Sequence, residues 1–364
     1  MTRPTARRTY LDVLRGVAVL VMIEAHVIDS WTRAADRAQP WFGRSLILGG
    51  FGAPLFLFLA GLAVSLSASS KALRGGDEQA ASKAVQKRGL EIFFLAFLFR
   101  LQAFIISQSS ALSLLKVDIL NIMGPSIIGT AWLWGAVKSH RARLVGFAAA
   151  TAIIAFATPI VRAFGWLAGL PDFLEAYIRP VPGLTNFAIF PWVAFVPAGA
   201  LVGALIAAAP ERVNETRLNI MLGVCGVALA VAAYAASFLP SPYARSSFWT
   251  SSPSFFFLRL GLLVTAVGAA YFWEQRPSAP ERWSPLQLLG RSSLFIYWIH
   301  VEMVYGVVSI PLHGGLSLIQ AWIALFLFWG LMLALAILKD RGMRWWRTRG
   351  YGAGGRVGAA GATP

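Results

Sequence analysis

Apolar runs of about 20 residues recur along the whole chain and are separated by short polar segments. A helix needs roughly 20 apolar residues to cross the hydrocarbon core of a bilayer, so each run is long enough to be a transmembrane helix. The pattern predicts about ten spans, at approximately 10–31, 46–67, 89–108, 117–137, 143–164, 185–208, 218–239, 255–273, 288–310 and 318–338.

These runs predict an all-α fold, a polytopic membrane helix bundle, because helices satisfy their own backbone groups inside lipid. We assign residues 1–345 to the membrane domain. Residues 346–364 are rich in glycine and alanine, which is typical of a disordered tail. Composition agrees with a membrane protein, because only 13% of the 364 residues are charged, against about 25% in a soluble domain.

The net charge of +16 does not indicate nucleic acid, because lysine and arginine lie in short loops and tails between the apolar runs. Alternate loops hold most of them, beginning with the segment before the first run and ending with the tail. The positive-inside rule therefore predicts that both termini are cytoplasmic. We expect an integral protein of the bacterial inner (plasma) membrane. Cys225 is the sole cysteine, so neither a disulfide framework nor a thiolate metal site is predicted.

The first apolar run, Tyr10–Trp31, carries ionisable residues where lipid would surround a simple anchor. Each charged group at membrane depth costs about 2.5–3.5 kcal/mol on insertion scales, so such groups mark functional sites by default. On a helix, Arg15 and His26 lie about 20° apart in azimuth and about 16 Å apart along the axis. Asp29 falls on the same stripe. The pattern favours a polar face toward a cavity; a simple Asp12–Arg15 ion pair at the membrane boundary is the alternative for those two residues.

Other polar residues within the apolar runs must pair with one another or line a water-filled cavity. They are Glu91, Arg100, Asp118, Asn121, Arg259, Arg291, Tyr297, His300 and Glu302. Together with the first run they predict a basic cytoplasmic half-cavity with a histidine above it, suited to an elongated anion. Two members have plainer interpretations: Arg291 as a snorkelling side chain and His300 as a hydrogen-bonded structural histidine.

The segment LDVLRGVAVLVMIEAH in the first run resembles the first span of the transmembrane acyltransferase superfamily. This superfamily includes the acyltransferase-3 enzymes and the heparan-alpha-glucosaminide N-acetyltransferase-like membrane proteins. Further blocks resemble the second group: FGAPLFLFLAGLAVSLS, KVDILNIMGPSIIG, NFAIFPWVAFVPAGALVG and LGRSSLFIYWIHVEMVYG. The resemblance implies a membrane acyltransferase that moves an acyl group, expected to be acetyl, from cytoplasmic acetyl-CoA to a sugar or glycan hydroxyl or amine on the outer side.

The resemblance also implies residue roles. In the acyltransferase-3 branch, an arginine and a histidine with ten residues between them mark the active site on the first span. Arg15 and His26 match that spacing and are the expected catalytic residues. That branch has an arginine pair after the second span, where this chain has only Lys87-Arg88. Arg15, Arg88 and Arg291 are expected to bind the phosphates of the acyl donor, which is a co-substrate.

Two roles remain open for His26: a general base on the acceptor or a covalent acyl carrier. The base role needs only one proton transfer and is preferred. Asp29 or Asp118 is expected to set the tautomer of His26. A buried arginine or Tyr297 is expected to stabilise the oxyanion, and His300 is a supporting residue.

The hypothesis depends on a tunnel through the bilayer that joins a basic inner mouth to His26. Buried arginine, histidine and aspartate also occur in proton relays and anion pathways, so a transporter or channel for a small anionic solute is the alternative. The chain shows no internal repeat and no matching pair of Gly/Pro-broken spans, which disfavours that alternative. An assembly protein without activity is the third possibility.

Overall fold

A computed structural model describes residues 8–107, 110–209, 212–276 and 283–354, and within these ranges it holds fourteen α-helices and no β-strand. The all-α prediction is confirmed. The helices are α1 (Thr9–Trp31), α2 (Pro40–Gly49), α3 (Gly52–Gly75), α4 (Glu78–Ser107), α5 (Ile119–Ala136), α6 (His140–Ala163), α7 (Asp172–Ile178), α8 (Ile189–Trp192), α9 (Phe195–Ala207), α10 (Arg212–Ala236), α11 (Pro253–Glu274), α12 (Pro285–Arg291), α13 (Ser293–Tyr305) and α14 (Leu318–Gly354).

Seven helical segments in the described ranges are long and apolar enough to cross a membrane. They are α4, α6, α10, α11, α14 and the continuous pairs α2–α3 and α8–α9. The protein is therefore an integral membrane protein. The ten-span count and the cytoplasmic termini stay predictions. Helix α1 has 23 residues, enough to cross, but its charged stripe sets it apart from these seven segments.

Three of the predicted spans contain breaks, although the first two overlap single membrane-length segments, Pro40–Gly75 and Ile189–Ala207. The run 46–67 is interrupted between α2 and α3 at Gly50 and Phe51. The run 185–208 contains the cis Phe190–Pro191 bond and a non-helical Phe190. The run 288–310 breaks at Ser292 between α12 and α13 and ends in a 3₁₀-helix. Hydropathy averages over a window and does not register breaks that proline, glycine and packing impose.

Helix α14 continues to Gly354, beyond the predicted domain boundary at residue 345. The rest of the predicted tail, residues 355–364, lies outside the described residues, and the tail stays a prediction.

Helix α1 is central to the bundle and contacts α2, α3, α11, α12, α13 and α14. Its buried residues belong to two hydrophobic clusters: Ala18 and Met22 pack in one, while Val19 and Ile23 pack in the other. Because both clusters use α1, this helix joins the two halves of the core.

A close approach of α12 holds α1 in place. A Cβ atom on Gly16 would lie 2.1 Å from the Leu286 carbonyl oxygen, and one on Gly290 would lie 1.9 Å from the Asp12 carbonyl oxygen. Only a residue without a side chain fits at these two positions. This contact positions the N-terminal half of α1, which carries Arg15.

Candidate active site

A cavity of about 770 Å³ lies beside the C-terminal half of α1, within the size range of small-molecule sites. We call it the histidine cavity. Its walls come from α1, α2, α3, α4, α5, α8, α13 and the segment 185–187. Its polar and ionisable lining residues are His26, Asp29, Arg100, Lys116, Asp118, Thr185, Asn186, Tyr297, Glu302 and Tyr305. The structure therefore brings six residues with predicted or suspected roles to one place: His26, Asp29, Arg100, Asp118, Tyr297 and Glu302.

His26 is hydrogen-bonded to a second histidine. Its Nδ1 atom lies 2.9 Å from Nε2 of His300. The two rings are almost coplanar, with 3° between their planes and 5.1 Å between their centroids. His300 is fully buried, and its other nitrogen, Nδ1, lies 2.8 Å from the carbonyl oxygen of Ile296.

This arrangement determines which nitrogens carry protons. A carbonyl oxygen only accepts, so Nδ1 of His300 must donate to Ile296. A singly protonated His300 then presents a bare Nε2, which accepts the Nδ1 proton of His26. The remaining nitrogen of His26, Nε2, is left without a proton and with its lone pair available. That is the form of imidazole needed in a general base or a nucleophile.

An ion pair lies across the same cavity. The Arg100 guanidinium donates to Asp118 at 2.7 Å, with only 13% and 16% of the two side chains exposed. Asp118 also accepts from the backbone N–H of Ile119 and caps α5, in a reciprocal box with Asn121. The cap satisfies backbone groups at the helix start, so Arg100 is held by a rigid partner. Nε of Arg100 is buried without a hydrogen-bond partner among the described residues.

The Asn121 amide connects this cap to the loop helix α7. Its Nδ2 atom donates to the Tyr177 hydroxyl at 3.2 Å. Burial raises the pKa of the Tyr177 phenol, so this hydroxyl stays protonated at neutral pH and remains able to accept from Asn121.

Asp29, predicted to orient His26, is exposed and pairs with Arg37 at 3.6 Å. Asp118, the other candidate for that role, is bonded to Arg100. Nδ1 of His26 donates to Nε2 of His300 instead. The physical reason is that α13 packs along α1, a juxtaposition across 274 positions of sequence.

A second cavity, of about 270 Å³, lies beside the N-terminal half of α1 and is lined by Arg15 and Arg88. We call it the arginine mouth. Arg15 contacts Asp12 at 3.5 Å, as the boundary-pair alternative anticipated, and Arg88 pairs with Glu91 at 2.9 Å. Arg15 and Arg88 therefore share one site.

Four side chains line both the histidine cavity and the arginine mouth: Met22, Phe56, Ile119 and Tyr297. The two cavities therefore adjoin at this boundary. A tunnel that joins them stays a prediction.

Arg291 is not part of either cavity. Its side chain is exposed, and its Nε donates to the Gln287 carbonyl at 3.3 Å, one turn back on the same helix. This placement resembles the snorkelling alternative more than a ligand-binding role.

Tyr305 and Trp192 are among the lining residues that were not suspected from the sequence. The Tyr305 ring lies 5.5 Å from the His26 ring, in an edge-on contact, and Trp192 also lines the cavity. Nothing in the local sequence distinguishes these two residues, because the chain contains many other aromatic residues. Arg100, in contrast, could be identified from the sequence, because it is a charged residue inside an apolar run.

The fold and this site define an all-helical integral membrane protein with a polar, histidine-containing cavity inside its helix bundle. The family described as "Heparan-alpha-glucosaminide N-acetyltransferase, catalytic" matches residues 7–231, more than half of the chain, and the chain belongs to this family. The predicted kinship with these acetyltransferases is confirmed. The match includes Arg15, His26, Arg88, Arg100 and Asp118 and ends within α10, before α13. A comparison with curated proteins gave no match.

Proposed function

We propose that the protein is a membrane acyltransferase that moves an acetyl group from cytoplasmic acetyl-CoA to a hydroxyl or amine of a sugar or glycan on the outer side. The observation that carries the proposal is the His26–His300 hydrogen bond, which leaves a bare imidazole nitrogen on a residue that lines the histidine cavity. Membership of the acetyltransferase family supports the same conclusion.

The proposal includes an orientation. With ten crossing segments and both termini in the cytoplasm of a bacterial inner membrane, the start of α1 is cytoplasmic and its end is outer. The arginine mouth then opens toward the cytoplasm and the histidine cavity toward the outer side. The unequal distribution of lysine and arginine between alternate loops supports this orientation.

In this orientation the donor and acceptor come from opposite ends of α1. Arg15 and Arg88 supply positive charge at the arginine mouth, where they attract the phosphates of acetyl-CoA. The thioester end would pass the boundary at Met22 and Tyr297 to reach His26. Arg291, which lies outside both cavities, is left as a weaker candidate for phosphate contact.

Transfer moves one proton through His26. Its Nε2 takes the proton from the acceptor oxygen or nitrogen as that atom forms a bond to the acetyl carbonyl carbon. The carbon–sulfur bond breaks, and the same proton passes to the departing thiolate, which leaves as a thiol. Tyr297 and Arg100 line the cavity and are the donors proposed to stabilise the oxyanion. Direct transfer needs fewer steps than an acyl-histidine, so we prefer it.

The test is transfer of radiolabelled acetyl from acetyl-CoA to glucosamine by purified protein. We expect His26→Ala to lower kcat by about 10²–10⁴-fold, the usual contribution of a general base. His140→Ala is the matched control, because His140 is exposed at the start of α6, outside the histidine cavity. Undiminished transfer by folded His26→Ala protein would refute the proposal.

A transporter of small anions remains the second candidate, because two cavities at opposite ends of one helix also suit access from alternate sides. Solute uptake by proteoliposomes without acetyl-CoA, together with no acetyl transfer, would favour it. Transfer without uptake would favour the enzyme.

A further inference from the structure

We propose that the C-terminal parts of α12 and α14 together bind the headgroups of anionic phospholipids. Four basic side chains form this surface: Arg291 at the end of α12, and Lys339, Arg341 and Arg344 on α14. We call it the basic surface. It lies outside the histidine cavity and the arginine mouth, and the inference does not depend on the proposed transfer reaction.

The length of α14 places the basic surface at the depth of the lipid headgroups. Residues 318–338 include no charged residue, and a helix over this range extends about 32 Å, close to the thickness of the hydrocarbon core. Lys339 therefore lies at the edge of that core. The whole apolar segment, Leu318–Trp346, extends about 43 Å, which matches a bilayer with its headgroups. Residues 340–346 then lie in the headgroup layer.

Side chains from the two helices meet at this depth. The ammonium of Lys339 donates to the Ser292 hydroxyl at 3.4 Å and lies 5.2 Å from the centroid of the Phe295 ring. Arg291 lies close enough to Asp340 for its positive charge to stabilise that carboxylate. The basic surface is therefore a product of helix packing, whereas the loop charge that orients a membrane protein needs no such convergence.

The basic surface has an excess of positive charge. Asp340 is the one acidic residue in the segment 339–349, which has five basic residues. Asp340 pairs with Arg344, whose side chain is still 74% exposed, and Arg291 and Arg341 are exposed as well. Guanidinium groups bind phosphate oxygens through paired hydrogen bonds. The exposed arginines are therefore suited to the phosphodiester of a lipid headgroup.

Two tryptophans indicate a lipid and not a soluble anion. Trp345 and Trp346 follow Arg344 directly, and they are 54% and 75% exposed. Tryptophan is enriched at headgroup depth, because its ring is apolar and its N–H is polar. A phospholipid offers apolar glycerol and acyl groups to these rings beside its phosphate, and an inorganic phosphate does not. The occupant is thus a phospholipid with a net negative charge.

The test is native mass spectrometry of the full-length protein in detergent, titrated with dioleoyl phosphatidylglycerol or dioleoyl phosphatidylcholine. We expect wild type to bind the anionic lipid at least about tenfold more tightly, since each basic residue beside anionic lipid contributes about fivefold in affinity. The double variant Arg291→Gln/Arg344→Gln should bind phosphatidylglycerol about 25-fold more weakly, with little change for phosphatidylcholine. The matched control, Arg74→Gln/Arg141→Gln, removes the same charge at exposed positions of α3 and α6 and should bind both lipids like wild type.

Three results would overturn the proposal: equal affinities of wild type for the two lipids, equal weakening in the double variant and its control, or glycerol phosphate binding as tightly as phosphatidylglycerol. The last would assign the basic surface to a free phosphate. If the double variant does not fold, Arg344→Gln alone replaces it, with about fivefold weaker binding expected. Neither an acetyl donor nor an acceptor is present, so the outcome is independent of the transfer assay.

Discussion

His26 illustrates how a single residue acquires its chemistry from its neighbours. Its position on the stripe with Arg15 is a property of helical geometry, but the protonation of its ring depends on His300 and, through His300, on the Ile296 carbonyl. A neutral histidine presents a defined nitrogen as the base only when its other ring nitrogen donates a hydrogen bond. His300 is therefore a positioning residue, and it acts through His26.

The role of His300 can be separated from a purely structural one. We expect His300→Ala to lower kcat by about ten- to a hundredfold, because the ring of His26 loses the acceptor that orients it. KM for acetyl-CoA should change little, since the proposed site of the donor phosphates is at the other end of α1. His300→Gln should restore part of kcat, because its amide oxygen accepts the same proton. Steady-state kinetics on folded protein measure both constants.

If His300 served only packing, the folded fraction would fall while kcat per folded molecule stayed constant. A His300→Gln variant that is no more active than His300→Ala would also contradict the positioning role.

Among the helices, the position of α1 depends on how closely α12 approaches it. The contact at Gly16 and Gly290 places backbone against backbone, and the chain then breaks at Ser292, so that α13 begins beside α1. A single helix over the predicted span 288–310 would not have this break at Ser292. The break therefore helps to bring His300 to His26.

The α1–α12 contact gives a prediction about stability. Gly290→Ala places a Cβ atom 1.9 Å from the Asp12 carbonyl oxygen, so the helices must move apart, at a cost of about 1–3 kcal/mol, as for other overpacked sites. We expect a lower Tm in detergent and a loss of acetyl transfer.

Gly129→Ala is the matched control, because a Cβ atom there meets nothing within 4 Å. Alanine at such a helical position is expected to be neutral or to stabilise by about 0.5–1 kcal/mol. An equal fall of Tm in both variants would contradict the packing argument.

For the whole molecule, the orientation of the bundle decides which cavity receives the donor. Besides the short loop helix α7, the described residues between Asp77 and Ala244 form five helical segments: α4, α5, α6, α8–α9 and α10. If all five cross, these residues are on opposite sides of the membrane. Helix α5 is the uncertain member, since its 18 residues contain Asn121 and Pro125 and it is not among the seven apolar segments.

Cysteine labelling tests this arrangement, since Cys225 is the single cysteine and Cys225→Ser gives a clean background. We expect Ala244→Cys to react with an impermeant maleimide in intact cells, and Asp77→Cys to react only after permeabilisation. Labelling of both on the same side would mean that an even number of these segments crosses.

The parts of the fold that the sequence predicts are those that depend on local pattern. The apolar runs correspond to helices, and the spacing of Arg15 and His26 places them beside two cavities. The helix breaks were missed because they depend on prolines, glycines and contacts that a hydropathy window averages away. The partner of His26 was assigned to the wrong residues because Asp29 is near in sequence, whereas His300 is near only in space.

By itself, the sequence determined that this chain is an all-helical membrane protein with ionisable groups inside its first helix, because length, hydropathy and helical periodicity are local properties. It also carried enough family pattern to place the chain among the acetyltransferase relatives. Only the tertiary structure decided which groups meet: His26 with His300, Arg100 with Asp118, and Arg259 with aromatic rings. Hydrogen bonds and ion pairs act over a few ångströms, and packing alone determines which distant residues come that close.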